Sequence, residues 1–273
     1  MSGTLTSVGS TAAVSWSVHP VQISDEPGAF LITLGLFFLG LILIYFGFQS
    51  YRTSRLIRDT PTSKVRSMPV GRVELQGTAR DAGETLDAPF TDDECLYVSY
   101  KIEEYEYDRK DEEWEWVTKA SGTERVPFYL EDDTGKVYVD ATDRPSYPLS
   151  GAMKTRIRTK KRGDTPREVR NFIRSETSIG LTNNKRRYTQ EIIPVDEEVY
   201  VFGGATQREE AEGSNAERLK VETDDMTGRF IVSDREAGAL AKAYGRKAPL
   251  LMLLGLGISA ICLYVILEGA IFV

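Results

Sequence analysis

Six cations crowd one short stretch of this 273-residue chain: Lys154, Arg156, Arg158, Lys160, Lys161 and Arg162. Such a run could meet anionic lipid headgroups, each contact near the surface contributing about 1 kcal/mol. It could equally be an edge strand whose Lys and Arg discourage pairing with another chain. Trp114 and Trp116 flank Glu115 and therefore share one face of any strand. They could pack in a core, pair across a hairpin, or anchor a protein partner. Glu103-Glu104 and Glu112-Glu113 supply adjacent carboxylates, the raw material of acid–base chemistry. Both pairs fall in a charged segment that reads as a solvated hairpin.

Nucleophile and metal chemistry find little to work with. There are two cysteines, Cys95 and Cys262, and one histidine, His19. The middle of the chain has no histidine, so neither a Ser-His-Asp nor a Cys-His arrangement forms there. Cys95 stands among apolar neighbours, the setting of a buried structural thiol. No zinc site or disulfide framework can be assembled from three such scattered residues. The glycine-rich phosphate-loop patterns are absent, and Gly203-Gly204 lacks the following helix that a phosphate site needs. No catalytic residue, metal or cofactor is expected.

Strands must position these side chains. Residues 70–77 alternate, with Val73 and Leu75 on one face. Residues 95–107 read as a long strand that leaves the core and becomes exposed, and residues 114–118 as its hairpin partner. Residues 126–130 and 136–140 form a second hairpin around an acidic, glycine-containing turn. Residues 188–194 and 198–202 look like a third, and 219–222 and 229–233 like short strands. Thr165-Pro166-Arg167-Glu168 has the cap, the first-turn proline and the acid of a helix start. That helix runs to about Ser175 and turns Val169, Phe172 and Ile173 inward. Asp234 caps a last short helix. The result is a mainly β (α+β) soluble domain, a curled sheet or small barrel-like fold.

Two uncharged runs bracket it. Residues 28–49 and 248–267 each supply the roughly 20 apolar residues that cross a hydrocarbon core as a helix. The expected organisation is a disordered extracytoplasmic tail (1–27), a first transmembrane helix (28–49), the β-rich domain (50–247), a second transmembrane helix (248–268) and a short end (269–273). The first run has no basic residue before it and is read as a retained anchor rather than a signal peptide. Every Lys and Arg lies between Arg52 and Lys247. Arg52, Arg55, Arg58, Lys242, Arg246 and Lys247 sit beside the spans, which places the domain in the cytoplasm and both termini outside. Glu268 then lies at the outer interface. Gly255 and Ser259 have the spacing that lets helices approach closely, within one chain or between copies in a homo-oligomer. The net charge of −7 and the recurrent acidic clusters give no support to nucleic-acid binding and suit a halophile-like cytoplasm.

Several segments in order resemble the GIDE family, also called the BAM or beside-a-membrane domain. They are Asp59-Thr60-Pro61-Thr62 and residues 70–77, Leu86 and Pro89 before Cys95-Leu96-Tyr97, and residues 126–130 ahead of 135–139. The last are residues 187–191 and 197–203. The best-known members are mitochondrial E3 ubiquitin ligases, which carry a zinc-binding RING. The sequence shows no Cys and His cluster of that kind, so the resemblance implies the domain and not ligase activity of its own. The expected function is a non-enzymatic, membrane-anchored interaction or scaffold module, with membrane lipid and an unidentified protein as partners. Two alternatives are an E3-ligase-like protein acting through a separate partner, and a subunit of a membrane transport complex.

Overall fold

The computed structural model describes residues 27–108, 112–176, 179–208 and 218–271. The N-terminal tail, His19, the side chain of Glu268, the last two residues and most of the polar loop after residue 206 lie outside the described residues. Two units are distinguished, Ser50–Arg246 and the pair Met1–Gln49 with Lys247–Val273. In chain order the elements are α1 (Pro27–Asp59), β1 (Gly71–Asp81), β2 (Leu86–Asp87), β3 (Glu94–Asp108), β4 (Glu113–Arg125), β5 (Phe128–Asp132) and β6 (Gly135–Val139). They continue with β7 (Lys154–Thr159), α2 (Arg167–Glu176), β8 (Arg186–Pro194), β9 (Glu198–Gln207), β10 (Leu219–Glu222), β11 (Ile231–Ser233) and α3 (Ala237–Ile271).

The Ser50–Arg246 unit is β-rich, and its first sheet closes. The strands run β1-β5-β6-β10-β9, and β9 pairs back onto β1 from Gly71 opposite Ala205 to Thr78 opposite Glu198. Alternation drives this closure. Val73, Leu75, Leu130, Val137, Val139, Val199, Val201 and Val221 are all buried in one core. Tyr200 and Phe202, the intervening residues of β9, point the other way. They are buried against Ile57 of α1 and Leu240 and Ala241 of α3. So narrow a barrel brings strands very close. A Cβ on Gly203 would lie 2.4 Å from the carbonyl oxygen of Glu222, so only glycine fits where β10 joins β9.

The second sheet is a curl ordered β2-β3-β8-β7, with β4 pairing along β3. One of its faces is covered by α2, through Val169 and Ile173, together with Phe90, Ile102 and Tyr188. Phe90 sets its ring edge-on to Phe172 at 5.8 Å and to Tyr188 at 5.7 Å. The helix starts where the capping signal puts it, with the Arg170 amide bonded to the Pro166 carbonyl at 3.0 Å.

One expectation fails here. Residues 188–194 and 198–202 are not a hairpin. β8 pairs with β3 and β7, whereas β9 pairs with β1, β10 and β11. The link between them is stitched to β1 instead. The Asp196 amide bonds to the Ala79 carbonyl and the Ala79 amide to the Glu197 carbonyl, each at 2.8 Å. Asp196 itself adopts φ 68°. That left-handed turn carries the chain from the curl into the barrel.

Both terminal helices are long and apolar enough to cross a membrane, over Gly28–Asp59 and Ala237–Leu267. They run past the apolar stretches, so Arg52, Arg55 and Arg58 continue α1, and Lys242, Arg246 and Lys247 belong to α3. Within the Met1–Gln49 and Lys247–Val273 unit the two pack antiparallel on small residues. Gly47 meets Ala248 and Met252, and Gly40 meets Gly255 and Ser259. The Ser259 hydroxyl is 3.4 Å from the Phe37 carbonyl oxygen. The small-residue spacing on α3 therefore serves pairing within the chain.

Candidate functional site

The second sheet presents its other face outward, and the strand register shows what stands there. Arg158 on β7 is opposite Arg187 on β8, which is opposite Glu103 on β3, which is opposite Thr118 on β4. Directly paired residues share a face. Two residues further along, Tyr105 stands opposite Trp116 and Tyr107 opposite Trp114. The cations of β7 and the two tryptophans thus lie on one surface, with Arg187 and Glu103 between them.

The aromatic end of this surface projects past β8, whose pairing with β3 stops at Glu104 opposite Arg186. Trp114 is stacked on Tyr105 with ring centroids 5.3 Å apart, and Trp116 leans on the same ring at 5.1 Å. Tyr107 touches Trp114 at 5.6 Å. The Arg187 guanidinium lies 4.7 Å from the Trp116 ring centre and the Lys185 ammonium 5.4 Å from that of Tyr105. The packing is cross-strand and not core: Trp114 is 58% exposed, Tyr107 47% and Trp116 38%. Such rings, rigid and flanked by cations, are the side chains that dominate binding energy at protein interfaces.

The carboxylates beside them are not solvated as their sequence setting suggests. Glu103 and Glu104 are both buried, and Glu112 and Glu113 alone are exposed. Arg187 grips Glu103 with two nitrogens, at 2.6 and 2.8 Å. That fork, helped by Lys101, holds the Glu103 carboxyl down to about 2 against a smaller opposing effect of burial. On the covered face, burial pushes the Glu104 carboxyl up. Hydrogen bonds from Arg186 and Asn184, both at 2.7 Å, outweigh it and leave a net lowering. Each carboxylate is neutralised by its own arginine, so neither is poised to exchange a proton near neutrality.

The six cations of the sequence line different features of the domain. Lys154, Arg156 and Arg158 alternate outward on β7, the outermost strand, with Thr155 and Ile157 turned inward. Lys154 pairs with Glu191. Lys160 lines a cavity of about 370 Å³ with Tyr105, Trp114, Asn183, Asn184 and Lys185. Lys161 is exposed at the start of the turn Arg162–Asp164. Arg162 faces a different groove, against α2. Sequence reasoning passed over Tyr105, Tyr107, Lys185 and Arg187. The period-two spacing of Tyr105 and Tyr107 was a usable signal, but Arg187 becomes a partner only through the β8–β3 register.

Cys95 is fully buried, its thiol 3.4 Å from the Leu86 carbonyl oxygen. Burial pushes it up to about 12, so it is no nucleophile at neutral pH. Among the described residues no group of three His, Cys, Asp or Glu gathers in a way that could hold a metal ion.

A family model described as GIDE, E3 ubiquitin ligase, matches residues 99–267. The match takes in the outward face, α2, the later barrel strands and most of α3. The resembling segments at residues 59–62, 70–77 and 86–97 precede it. No curated protein and no solved structure matches the chain.

Proposed function

The chain belongs to the GIDE family, and on that premise we propose that it is a membrane-anchored interaction module. Its outward sheet face, centred on Trp114 and Trp116, receives a protein partner. The observation that carries this reading is the uncovered stack of Tyr105, Trp114 and Trp116 held by Arg187. Contiguous exposed aromatic surface is unfavourable in water and is retained where something covers it. The two apolar helices anchor the domain, and the Lys and Arg beside them orient it toward the cytoplasm. The edge cations of β7 guard an open strand against unwanted pairing.

A photo-reactive amino acid at Trp114, in native membranes, tests the face. The expected result is a discrete crosslinked product that disappears when Trp116 and Arg187 are both replaced by Ala. The same probe at Met226, which is 81% exposed, serves as the reference surface. Identical products from both positions overturn the reading. A cysteine at residue 212, in a chain otherwise free of cysteine, tests the orientation. It should react with a membrane-impermeant thiol reagent only after lysis.

The family description favours a second reading, in which the face holds a component of a ubiquitin-like transfer system that supplies its own catalytic centre. The two differ in an assay. Addition of the chain should accelerate discharge from a charged conjugating enzyme under the second reading and leave it unchanged under the first.

A further inference from the structure

Helix α2 buries Val169 and Ile173 and turns a different residue set to solvent. Arg167, Arg170 and Arg174, spaced three and four residues apart, fall along one side of the helix. The turn Arg162–Asp164 brings Arg162 alongside. These four arginines, with Gly163, Asn171 and Leu181, line an open groove of about 630 Å³.

What sets these arginines apart is their gathering around one groove. Arg72, Arg80, Arg186 and Arg187 each lie within ion-pair distance of a carboxylate. None of the four groove arginines pairs with a carboxylate of the described residues, in a chain whose acids outnumber its bases. Glu168, the acid of the first turn of α2, lines a separate groove with Asp92 and Glu124. Four guanidinium groups around one space repel each other, and the repulsion is relieved by an anion that enters between them. A guanidinium is planar, with paired N–H donors that match phosphate oxygens two at a time. The Asn171 amide adds a further donor.

We propose that this groove is a binding site for a phosphate-bearing ligand of high negative charge. The ligand is a phosphate monoester, carried either by a lipid headgroup or by a soluble metabolite. The site is distinct from the aromatic face: its residues lie on α2 and the preceding turn, and its chemistry is anion recognition.

The test uses the full chain in neutral detergent and calorimetric titration with two probes, glycerol 3-phosphate and short-chain phosphatidic acid. Saturable binding of at least one probe is expected. R170Q/R174Q should weaken it by tenfold or more. R156Q/R158Q removes the same charge from the β7 edge and should retain binding within about twofold, since simple charge loss is screened by salt. Phosphatidic acid binding at least tenfold tighter assigns the ligand to lipid, and equal or weaker binding assigns it to a soluble ester. Absence of saturable binding by both probes overturns the proposal, as does an equal loss in the two double variants. Unchanged circular dichroism and melting of R170Q/R174Q verify that lost binding is not lost fold.

Discussion

Gly40 of α1 and Gly255 of α3 meet backbone to backbone: a Cβ on Gly255 would lie 2.5 Å from the Gly40 carbonyl oxygen. Two helices this close gain dispersion along their whole contact, the main source of helix pairing where lipid removes the hydrophobic drive. A side chain at Gly255 must push them apart, and inserted bulk of that kind costs about 1–3 kcal/mol. Gly257, two residues on, has nothing within 4 Å of its Cβ position. G255L should therefore melt earlier than the parent in detergent and G257L should not. Both changes raise helix propensity equally, so the difference isolates packing. Equal melting of the two variants would show that the helices do not rest on this contact.

The buried pair Glu104 and Arg186 makes the next prediction. Their closest atoms are 2.6 Å apart and both side chains are nearly inaccessible. The Arg186 Nη1 has no hydrogen-bond partner among the described residues, so Glu104 is its main compensation. E104Q strands a buried cation and should destabilise the domain by about 3–5 kcal/mol. E104L/R186M removes both charges and should recover most of that loss. Chemical denaturation of the three proteins measures it, and a double variant no better than E104Q would count against the pairing.

Those carboxylates also show where sequence legibility stops. The barrel hairpin of β5 and β6 and the start of α2 are local, written in alternation, turn residues and a cap within a few positions. The burial of Glu103 and Glu104 is not local. It depends on a register shift between Ile102 and Glu103 in the β3–β4 pairing, and on Arg186 and Arg187 arriving from β8. Read alone, two glutamates in a charged segment look solvated. The closure of β9 onto β1 is likewise invisible in a sequence, since its partners are more than a hundred residues apart. Trp114 and Trp116 were legible as candidates from their type and spacing, and their exposure was not. The sequence reading of α2 stopped at its cap and inward face, and the gathering of Arg162 with Arg167, Arg170 and Arg174 around one groove appears only in three dimensions.

Acid should weaken the outward face in a defined interval. The Arg187 fork holds Glu103 at about 2, below the ordinary glutamate value of about 4.3. Between those values the unfolded chain binds the proton and the folded domain does not, so stability rises with pH there. The contribution is fully present above about pH 5 and lost as pH falls through the folded value. E103Q should lie below the parent in stability at neutral pH and converge with it near pH 2. A constant gap across that range would mean that Glu103 ionisation contributes nothing.

Cys95 should be unreactive until the domain opens. Its thiol is fully buried and raised to about 12, mainly by burial, with Asp87 and Asp93 adding to the effect. Thiolate, the reactive form, is scarce at neutral pH, and access is blocked as well. In a C262S background, iodoacetamide should leave the native protein unmodified and label one site after denaturation, as read by mass spectrometry. Rapid labelling of the native protein would place Cys95 at a reactive surface.

Glu74 offers the opposite sign from Glu103. Its side chain is buried on β1, accepting hydrogen bonds from Thr62 at 2.9 Å and Tyr200 at 3.1 Å. Burial raises its carboxyl above the ordinary range, and the two hydroxyl bonds only partly offset that. The folded state therefore keeps the proton at pH values where the unfolded chain has released it. Stability falls as pH rises through that interval, and the penalty is complete above the folded value. Gln at this position is neutral at every pH. Its amide oxygen accepts from one hydroxyl while its amide nitrogen donates to the other. E74Q should accordingly match or exceed the parent in melting temperature at neutral pH, and lose that advantage in acid. A melting series for both proteins across pH decides it. An E74Q protein that is weaker at neutral pH and equal in acid would show that the ionised carboxylate stabilises the fold.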